Sequence, residues 1–444
     1  MFFKKLFPGG VHPSEYRNGK SVTSKNPIVN FLQPEKVVIS MSQHLGSPSR
    51  CLVKKGDIVS KGQLIGESTG FVSANVHASI SGKVVSVEKQ LMPNGIYAIA
   101  VTIENDMTDD STEFHPIENI DDISLEDFIN AIKNAGIVGL GGAAFPTHVK
   151  LLSKEPIDTL VINGSECEPY LSSDHCLMLQ DYKTIIDGIV LVKNKLNAKH
   201  VVIGIEDNKK DAIKLFVKET SQYKDISVKE LKTIYPEGGE KQLIYACTRR
   251  KVPMGKLPLN VGVCVLNVST CFAISEAIRK GKPLIDRVIT VAGSVNTPKN
   301  LRVPVGTLIS DIIDTCDGLS QDTEMVIYGG PMMGSAISSI DTPILKGCSG
   351  IVALETTDNS LEETPCIHCG RCSYACPMLL SPSDIDRNVR IGRGTENESF
   401  NVMNCIECGV CSYVCPAKRK LTQSCKYSKY LVRENMKRRE GDKK

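Results

Sequence analysis

Two runs of cysteines are the residues in this sequence with the clearest capacity for chemistry. The run CIHCGRCSYACP begins at Cys366 and recurs 39 residues later as CIECGVCSYVCP, beginning at Cys405. Both follow C-x2-C-x2-C-x3-C-P, the spacing that binds [4Fe–4S] clusters in bacterial ferredoxin-type modules, where the fourth cysteine ligates the other cluster. The spacing therefore predicts two clusters with crossed ligand sets. These sets are Cys366, Cys369, Cys372 and Cys415 for one cluster, and Cys405, Cys408, Cys411 and Cys376 for the other.

Zinc is the alternative metal for these runs, because four-cysteine zinc sites also use C-x2-C pairs. A zinc site requires neither a third and fourth cysteine at fixed spacing nor the proline, so the repeat favours iron–sulfur clusters. Such clusters move single electrons, and a donor and an acceptor must therefore lie elsewhere. Cys425 lies outside the repeat and is expected to be a free thiol.

Three glycine-bearing stretches are candidates for a nucleotide site. Residues 136–150 read GIVGLGGAAFPTHVK, in which small residues would let backbone N–H groups approach a phosphate and Lys150 would add a positive charge. Residues 163–169 read NGSECEP and follow the apolar run TLVI, where ligands bind at the carboxyl ends of parallel strands. Residues 235–241 read YPEGGEK and precede a helical pattern. Each stretch also has a plain structural alternative: a glycine-rich connection for 136–150, an acidic solvated loop for 163–169 and a turn for 235–241.

The elements around these stretches predict a multidomain α/β and α+β protein. Short β-branched runs separated by Gly and Pro-Asn-Gly turns indicate a small β unit, and alternating strand-like and helical runs indicate an α/β layer. The first helix of that layer would be capped by Ser124 and stopped by Gly136. The predicted units are an extended arm at 1–30, a β domain at 31–105, an α/β domain at 120–284, an α+β module at 285–357, a two-cluster domain at 360–416 and a basic tail at 417–444.

Composition limits the remaining possibilities. The chain has 444 residues, with 53 Lys or Arg against 50 Asp or Glu, and its 17 cysteines are an odd number that argues against a complete disulfide framework. The most apolar candidate span, residues 261–278, is interrupted by polar groups, and the start lacks the apolar core of a secretory signal. A cytoplasmic protein is expected. The tail carries 11 basic and 3 acidic residues, which suits either a docking element or a disordered solubilising segment.

In this order, the stretches resemble the flavin- and NADH-binding subunit of respiratory complex I, and still more closely the C subunit of the Rnf electron-transport complex. The similarity to the Rnf C family runs through GGVHP at Gly9, SQHLGSP at Ser42, GFVSANVHASISG at Gly70, and the later motifs GLGGAAFPTHVK and YPEGGEKQLIY. It implies a barrel-sandwich (biotinyl/lipoyl-like) first domain, in which Phe71 stands near the modified lysine of lipoyl domains. It further implies a Rossmann-like FMN and NADH domain, a β-grasp (soluble-ligand-binding) domain and a ferredoxin-like helical domain with two [4Fe–4S] clusters.

The resemblance also implies function and partners. It implies noncovalent FMN that exchanges hydride with NAD(H), on a peripheral subunit at the cytoplasmic face of the cell membrane. The partners would be integral membrane and ferredoxin-like subunits that link ferredoxin and NAD chemistry to Na⁺ or H⁺ translocation, and no nucleic acid is expected.

Site residues follow from the same resemblance. Glu168 and Glu166 are the candidates for catalysis, by positioning the nucleotide. Departures from the complex I pattern stand at Val138, Leu140, Ser165 and Gly239. The residues implied to bind FMN or NADH are Gly139, Gly141, Gly142, Phe145, Lys150, Asn163, Glu166, Glu168, Glu240, Asn267 and Thr270.

Two other functions remain open on the sequence. A soluble corrinoid (cobalamin) reductase would share the flavin, β-grasp and ferredoxin parts. An electron-relay scaffold subunit with a vestigial nucleotide site would keep the clusters and lose the hydride chemistry.

Overall fold

The N-terminal arm of the chain is not a separate tail. The computed structural model describes residues 7–14, 19–153, 155–355 and 362–441. The arm contributes a short helix α1 (Lys20–Thr23) and a strand β1 (Ile28–Asn30). Strand β1 pairs in parallel with a strand nearly three hundred residues later, with Ile28 opposite Asn300. The arm is therefore built into a distant sheet.

The first unit is all β, which confirms the prediction for this region. Its longest strands, β7 and β8, form an antiparallel hairpin across a Pro-Asn-Gly turn in which Gly95 has a φ of +78°. The strands form one sheet in the order β2-β8-β7-β4 and a second in the order β3-β5-β6, around a core that includes Val37, Ile65 and Val101. The strands are β2 (Lys36–Ser40), β3 (Arg50–Cys51), β4 (Ile58–Val59), β5 (Leu64–Glu67), β6 (Val76–His77), β7 (Gly82–Leu91) and β8 (Tyr97–Asn105).

The second unit is an α/β layer around a parallel sheet. Ser124 caps its first helix by accepting a hydrogen bond from the Asp127 amide, and Gly136 follows that helix with a φ of +64°, so both predicted helix ends are confirmed. Its elements are α2 (Leu125–Asn134), α3 (Thr147–Leu151), β9 (Thr159–Gly164), α4 (Ser173–Gln180), α5 (Tyr182–Leu196), β10 (His200–Glu206), α6 (Lys210–Thr220), β11 (Ile226–Leu231), α7 (Glu240–Thr248), β12 (Val263–Asn267) and α8 (Val268–Lys280).

The order of strands in this sheet creates a ligand-binding edge. All neighbours are parallel, in the order β11-β10-β9-β12. Strands β10 and β11 lie on one side of β9, and the last strand, β12, lies on its other side, so the strand order reverses between β9 and β12. Open α/β sheets bind ligands in the crevice outside the carboxyl ends of such a pair of strands. Asn163 and Asn267 stand in register at this point.

The third unit packs a helix on a six-stranded mixed sheet. The sheet order is β1-β14-β13-β17-β15-β16, with the arm strand at one edge. Its core includes Ile289, Leu301, Ile312 and Ile351. The elements are β13 (Asp286–Gly293), β14 (Lys299–Pro304), α9 (Ile309–Thr315), β15 (Thr323–Tyr328), β16 (Ser335–Ala336) and β17 (Gly350–Glu355).

The last unit is helical and carries both cysteine runs. Helix α13 lies within the predicted tail, and its residues Cys425, Ser428 and Val432 are buried against the rest of the unit. The helices are α10 (Arg371–Ala375), α11 (Pro382–Arg390), α12 (Val410–Tyr413) and α13 (Leu421–Gly441).

Candidate functional site

The glycine-rich stretch forms a closed loop with free amides. The amide of Gly139 donates to the carbonyl of the half-buried Phe145 at 2.8 Å, which closes the loop at its base. At its exposed tip, the N–H groups of Gly141, Gly142 and Ala143 make no hydrogen bond within the described residues. Three free amides on small residues form a donor set that fits a phosphate.

This loop lies at the switch point of the parallel sheet. The Leu140 amide donates to Thr270 Oγ1 at 3.0 Å, and a Cβ on Gly141 would be 3.5 Å from the Cβ of Asn267. Asn267 caps helix α8 by accepting from the Ser269 amide, so the helix begins beside the loop. The positive end of the helix dipole would further favour an anion there. The structure thus brings Gly141, Asn267 and Thr270 together.

Lys150 and Glu240 are brought together as an ion pair. Lys150 Nζ lies 2.8 Å from Glu240 Oε1 and donates to the carbonyl of Val265 at 2.9 Å. Both side chains remain partly exposed, at 30% and 42%. The lysine is therefore held near the end of β12 with part of its surface open to solvent.

The carboxylate of Glu166 stabilises a helix end. It accepts hydrogen bonds from the amides of Asp174 at 2.7 Å and His175 at 3.1 Å, in the first turn of α4. The backbone of Glu166 is left-handed, with a φ of +46°, and its carbonyl accepts a hydrogen bond from Lys20 of the arm. The Glu166 side chain therefore ties the acidic loop to the first turn of α4.

The carboxylate of Glu168 reaches the third unit. It accepts from the amides of Met332 at 3.0 Å and Met333 at 2.8 Å. Removal from water raises the pKa of Glu168 to about 7, although the two amide bonds oppose this. Glu168 therefore joins the acidic loop to the loop at 329–334.

A group of buried polar side chains beneath the acidic loop was missed by the sequence reasoning. Lys209 is buried and donates to the Ser165 carbonyl at 2.6 Å. Glu206 Oε1, Ser165 Oγ and both carboxylate oxygens of Glu237 are buried without a hydrogen-bond partner among the described residues. Burial raises the pKa of Glu237 to about 8. The position of Glu206 at the end of a predicted strand was the available signal.

A buried hydrogen bond of Tyr235 joins the α/β unit to the cysteine-bearing unit. The hydroxyl of Tyr235 donates to the carbonyl of Cys408 at 2.7 Å in a buried contact. The same loop approaches the acidic loop, since Asn163 Nδ2 donates to the Gly238 carbonyl at 2.9 Å. The nucleotide-site candidates and one predicted cluster ligand are therefore linked through residues 235–238.

Four of the predicted cluster ligands line one cavity, and two others pack next to one of them. Cys376 lines a single cavity together with Cys405, Cys408 and Cys411. Cys415 packs instead beside Cys372, in the contact group that also contains Cys411. In the described ranges no three His, Cys, Asp or Glu side chains are grouped so as to hold a single metal ion. The thiols that line this cavity are nevertheless the donor type that an iron–sulfur cluster requires.

Cys425 is not isolated from these ligands. It lines the same cavity and packs in the same buried group as Cys376 and Cys405. The spacing of the cysteine motifs does not predict that Cys425 lies beside the cluster ligands, because Cys425 belongs to helix α13, outside the repeat.

None of the helices in the described part of the chain has both the length and the apolar character needed to cross a membrane.

Four family profiles match the chain in order. They are described as the RnfC barrel sandwich hybrid domain at residues 5–108, the Nuo51 FMN-binding domain at 132–276, the SLBB domain at 288–336 and the 4Fe-4S dicluster domain at 359–416.

Two relatives match over nearly their whole length. The C subunit of the proton-translocating ferredoxin:NAD(+) oxidoreductase complex of Clostridium ljungdahlii is 45% identical, covering 97% of this chain and 94% of the relative. The C subunit of the Na(+)-translocating ferredoxin:NAD(+) oxidoreductase complex of Acetobacterium woodii is 44% identical, covering 95% and 96%. Among solved structures, an NAD+-reducing [NiFe]-hydrogenase in the H2-reduced state is similar in fold, with a TM-score of 0.50, 15% identity and coverage of 70% of this chain and 65% of the other.

Proposed function

The chain belongs to the family of C subunits of ion-translocating ferredoxin:NAD(+) oxidoreductase complexes, and from this premise we propose how its residues serve that function. The protein is the FMN- and iron–sulfur-containing subunit of such a complex, an NAD-linked oxidoreductase that works with the other subunits. We propose further that it is peripheral, on the cytoplasmic face of the membrane. The finer proposal for its domains is a Rossmann-like FMN domain and a β-grasp third unit.

The glycine loop would hold the phosphate of FMN. The amides of Gly141, Gly142 and Ala143 supply donors, the start of helix α8 adds a positive dipole end, and Lys150 supplies a nearby full charge. Bound FMN converts two-electron hydride exchange with NAD(H) into the single-electron transfers that clusters accept. Gly139 and Phe145 would serve by closing the loop, and Asn267 and Thr270 by holding it at the switch point.

The carboxylates would act mainly by positioning. The carboxylate oxygens of Glu166 and Glu168 accept hydrogen bonds from backbone amides. We therefore propose that these residues fix the acidic loop that lines the nucleotide side of the site. Asn163 would connect that loop to residues 235–238. Glu240 would orient Lys150 through their ion pair.

The observation that carries the proposal is the buried bond between Tyr235 and Cys408. It binds the loop beside the candidate flavin site directly to Cys408, a predicted cluster ligand. Direct contact of this side chain with the backbone of the ligand would keep the distance for electron transfer short and fixed. A scaffold with a vestigial nucleotide site would not require it.

The test is anaerobic reconstitution followed by titration with NADH. Flavin, iron and sulfide are first measured, and the flavin and cluster absorbance are then followed as NADH is added. Bleaching of both chromophores is expected. Bound clusters with no flavin, or flavin that NADH does not bleach, would favour the relay scaffold.

A further inference from the structure

The first two turns of helix α13 form a wall of the second cluster site. Thr422, Cys425 and Lys429 are spaced by three and four residues, which places them on one face of the helix. All three are buried, and Cys425 is only 1% exposed. This face is therefore directed at the cysteine run and away from solvent.

Each of the three side chains contacts that run. Thr422 Oγ1 lies 3.5 Å from Cys411 Sγ, and Lys429 Nζ donates to the Cys405 carbonyl at 2.8 Å. Cys425 lies between them along the helix and packs in the same buried group as Cys405. Its position is thus fixed from both sides, and five cysteine sulfurs line one cavity.

We propose that Cys425 is a reserve ligand of this cluster, able to bind the iron that Cys405 or Cys411 would otherwise hold. The repeat supplies four ligands without it, so it is not needed when all four are intact. When one of its two neighbours cannot bind, Cys425 releases its proton to solvent and forms one iron–sulfur bond, with no change in the number of electrons. The inference rests on the proposed function, because it requires a [4Fe–4S] cluster at this site.

The contacts also define which positions Cys425 can replace. Thr422 and Lys429 direct this face of the helix at Cys411 and Cys405, and Cys425 packs in the same buried group as Cys405. Cys408 packs instead in a group with Tyr235 and Val410. Replacement of Cys405 should therefore be tolerated through Cys425, and replacement of Cys408 should not.

The experiment compares iron content and EPR spectra after anaerobic reconstitution. Wild-type protein should hold about eight irons, as two [4Fe–4S] clusters require. Cys425→Ala and Cys405→Ala should each keep about eight, while the double variant Cys405→Ala/Cys425→Ala should fall to about seven or fewer and gain the signal of an oxidised three-iron cluster. The matched pair is Cys408→Ala with and without Cys425→Ala, both of which should lose iron equally.

The outcomes separate the reserve role from the proposed function. Equal iron in Cys405→Ala and its double variant would overturn the reserve role. Loss of iron in Cys425→Ala alone would make it a primary ligand, and rescue of Cys408→Ala by Cys425 would overturn the assigned positions. Wild-type protein without clusters would overturn the proposed function itself.

Discussion

At the scale of single residues, Lys150 is the cation most directly tied to flavin binding. Lys150→Ala removes a positive charge beside the glycine loop and leaves Glu240 without its partner. We expect FMN to bind about tenfold more weakly, equivalent to about 1.4 kcal/mol. Fluorescence titration of the apoprotein with FMN would measure this. Lys214→Ala, on the exposed face of α6, is the control, and equal affinity in the two variants would show that Lys150 does not hold the flavin.

Glu168 offers a pH-dependent test at the same scale. Its folded pKa of about 7 exceeds its ordinary value of 4.5, so the folded chain binds the proton more readily. Its contribution to stability is therefore present at low pH and is lost as the pH rises from about 4.5 to about 7. At pH 5 the neutral acid still offers an oxygen to each of the Met332 and Met333 amides, whereas glutamine presents an NH2 group to one of them. Glu168→Gln should therefore lower the melting temperature at pH 5, at a cost of about 1 kcal/mol.

The difference between wild type and Glu168→Gln should shrink by pH 8, where the wild-type carboxylate is ionised. Thermal unfolding at the two pH values checks this. A difference that grows with pH would contradict the proposed burial. In the same variant, a higher NADH concentration for half reduction of the flavin would show that the loop at 329–334 also governs nucleotide binding.

At the scale of elements, helix α13 combines two roles along its length. Its first half packs against the cluster unit, while Lys437 and Arg438 near its end are exposed. Truncation after Leu421 should therefore abolish binding of the cluster held by Cys405, Cys408 and Cys411. Iron analysis should show a loss of about four irons. The double variant Lys437→Glu/Arg438→Glu should keep its iron and weaken association with the membrane subunits. Unchanged co-purification of the charge-reversed protein would argue that this end only solubilises the chain.

Elements determined by local pattern could be predicted from the sequence, and those determined by distant partners could not. The cap at Ser124 and the stop at Gly136 depend on neighbouring residues alone, as does the spacing of the cysteine runs. Strand β1 was missed because its partner, β14, is nearly three hundred residues away. The capping role of Glu166 and the packing of Cys425 beside Cys405 likewise depend on tertiary contacts that no spacing encodes.

At the scale of the whole molecule, the GGVHP motif of the arm joins the α/β unit to the cysteine-bearing unit. The Gly10 amide donates to the Ala375 carbonyl at 2.9 Å, and Val11 exchanges backbone hydrogen bonds with Tyr235 at 2.9 and 2.8 Å. Gly9 has a φ of +71°, and a Cβ there would be 2.5 Å from the Ala375 carbonyl oxygen. The arm is therefore fixed between the loop of Tyr235 and the cluster unit, with no room for a side chain at Gly9.

Gly9→Ala should displace the arm and slow reduction of the clusters by NADH, with little change in iron or flavin content. Gly56→Ala is a matched control, because Gly56 also has a positive φ, +97°, but no atom lies within 4 Å of its Cβ position. Stopped-flow absorbance would compare the two variants. Equal rates would mean that the arm does not set the distance between flavin and cluster.

Lys346 provides the last test, because this residue of the third unit joins the first and second units. Its buried Nζ donates to the carbonyls of Asn75 in the first unit and Gly136 in the second, both at 2.7 Å. Burial lowers the pKa of Lys346 to about 7 from 10.5. Between these values the unfolded chain holds the proton and the folded chain does not, so stability should rise with pH from about 7 to about 10.5.

Lys346→Met should remove this rise and lower the melting temperature at pH 9, because two buried carbonyls lose their donor at a cost of about 2 kcal/mol. The neighbouring His44 and His77 have pKa values lowered to about 4 and about 3, so in the folded protein they are already neutral across this range. Lys89→Met, an exposed substitution in the first unit, is the control and should keep the wild-type slope. Thermal unfolding at pH 7 and pH 9 measures both effects. A variant that keeps the wild-type slope would show that the junction does not depend on a neutral amine.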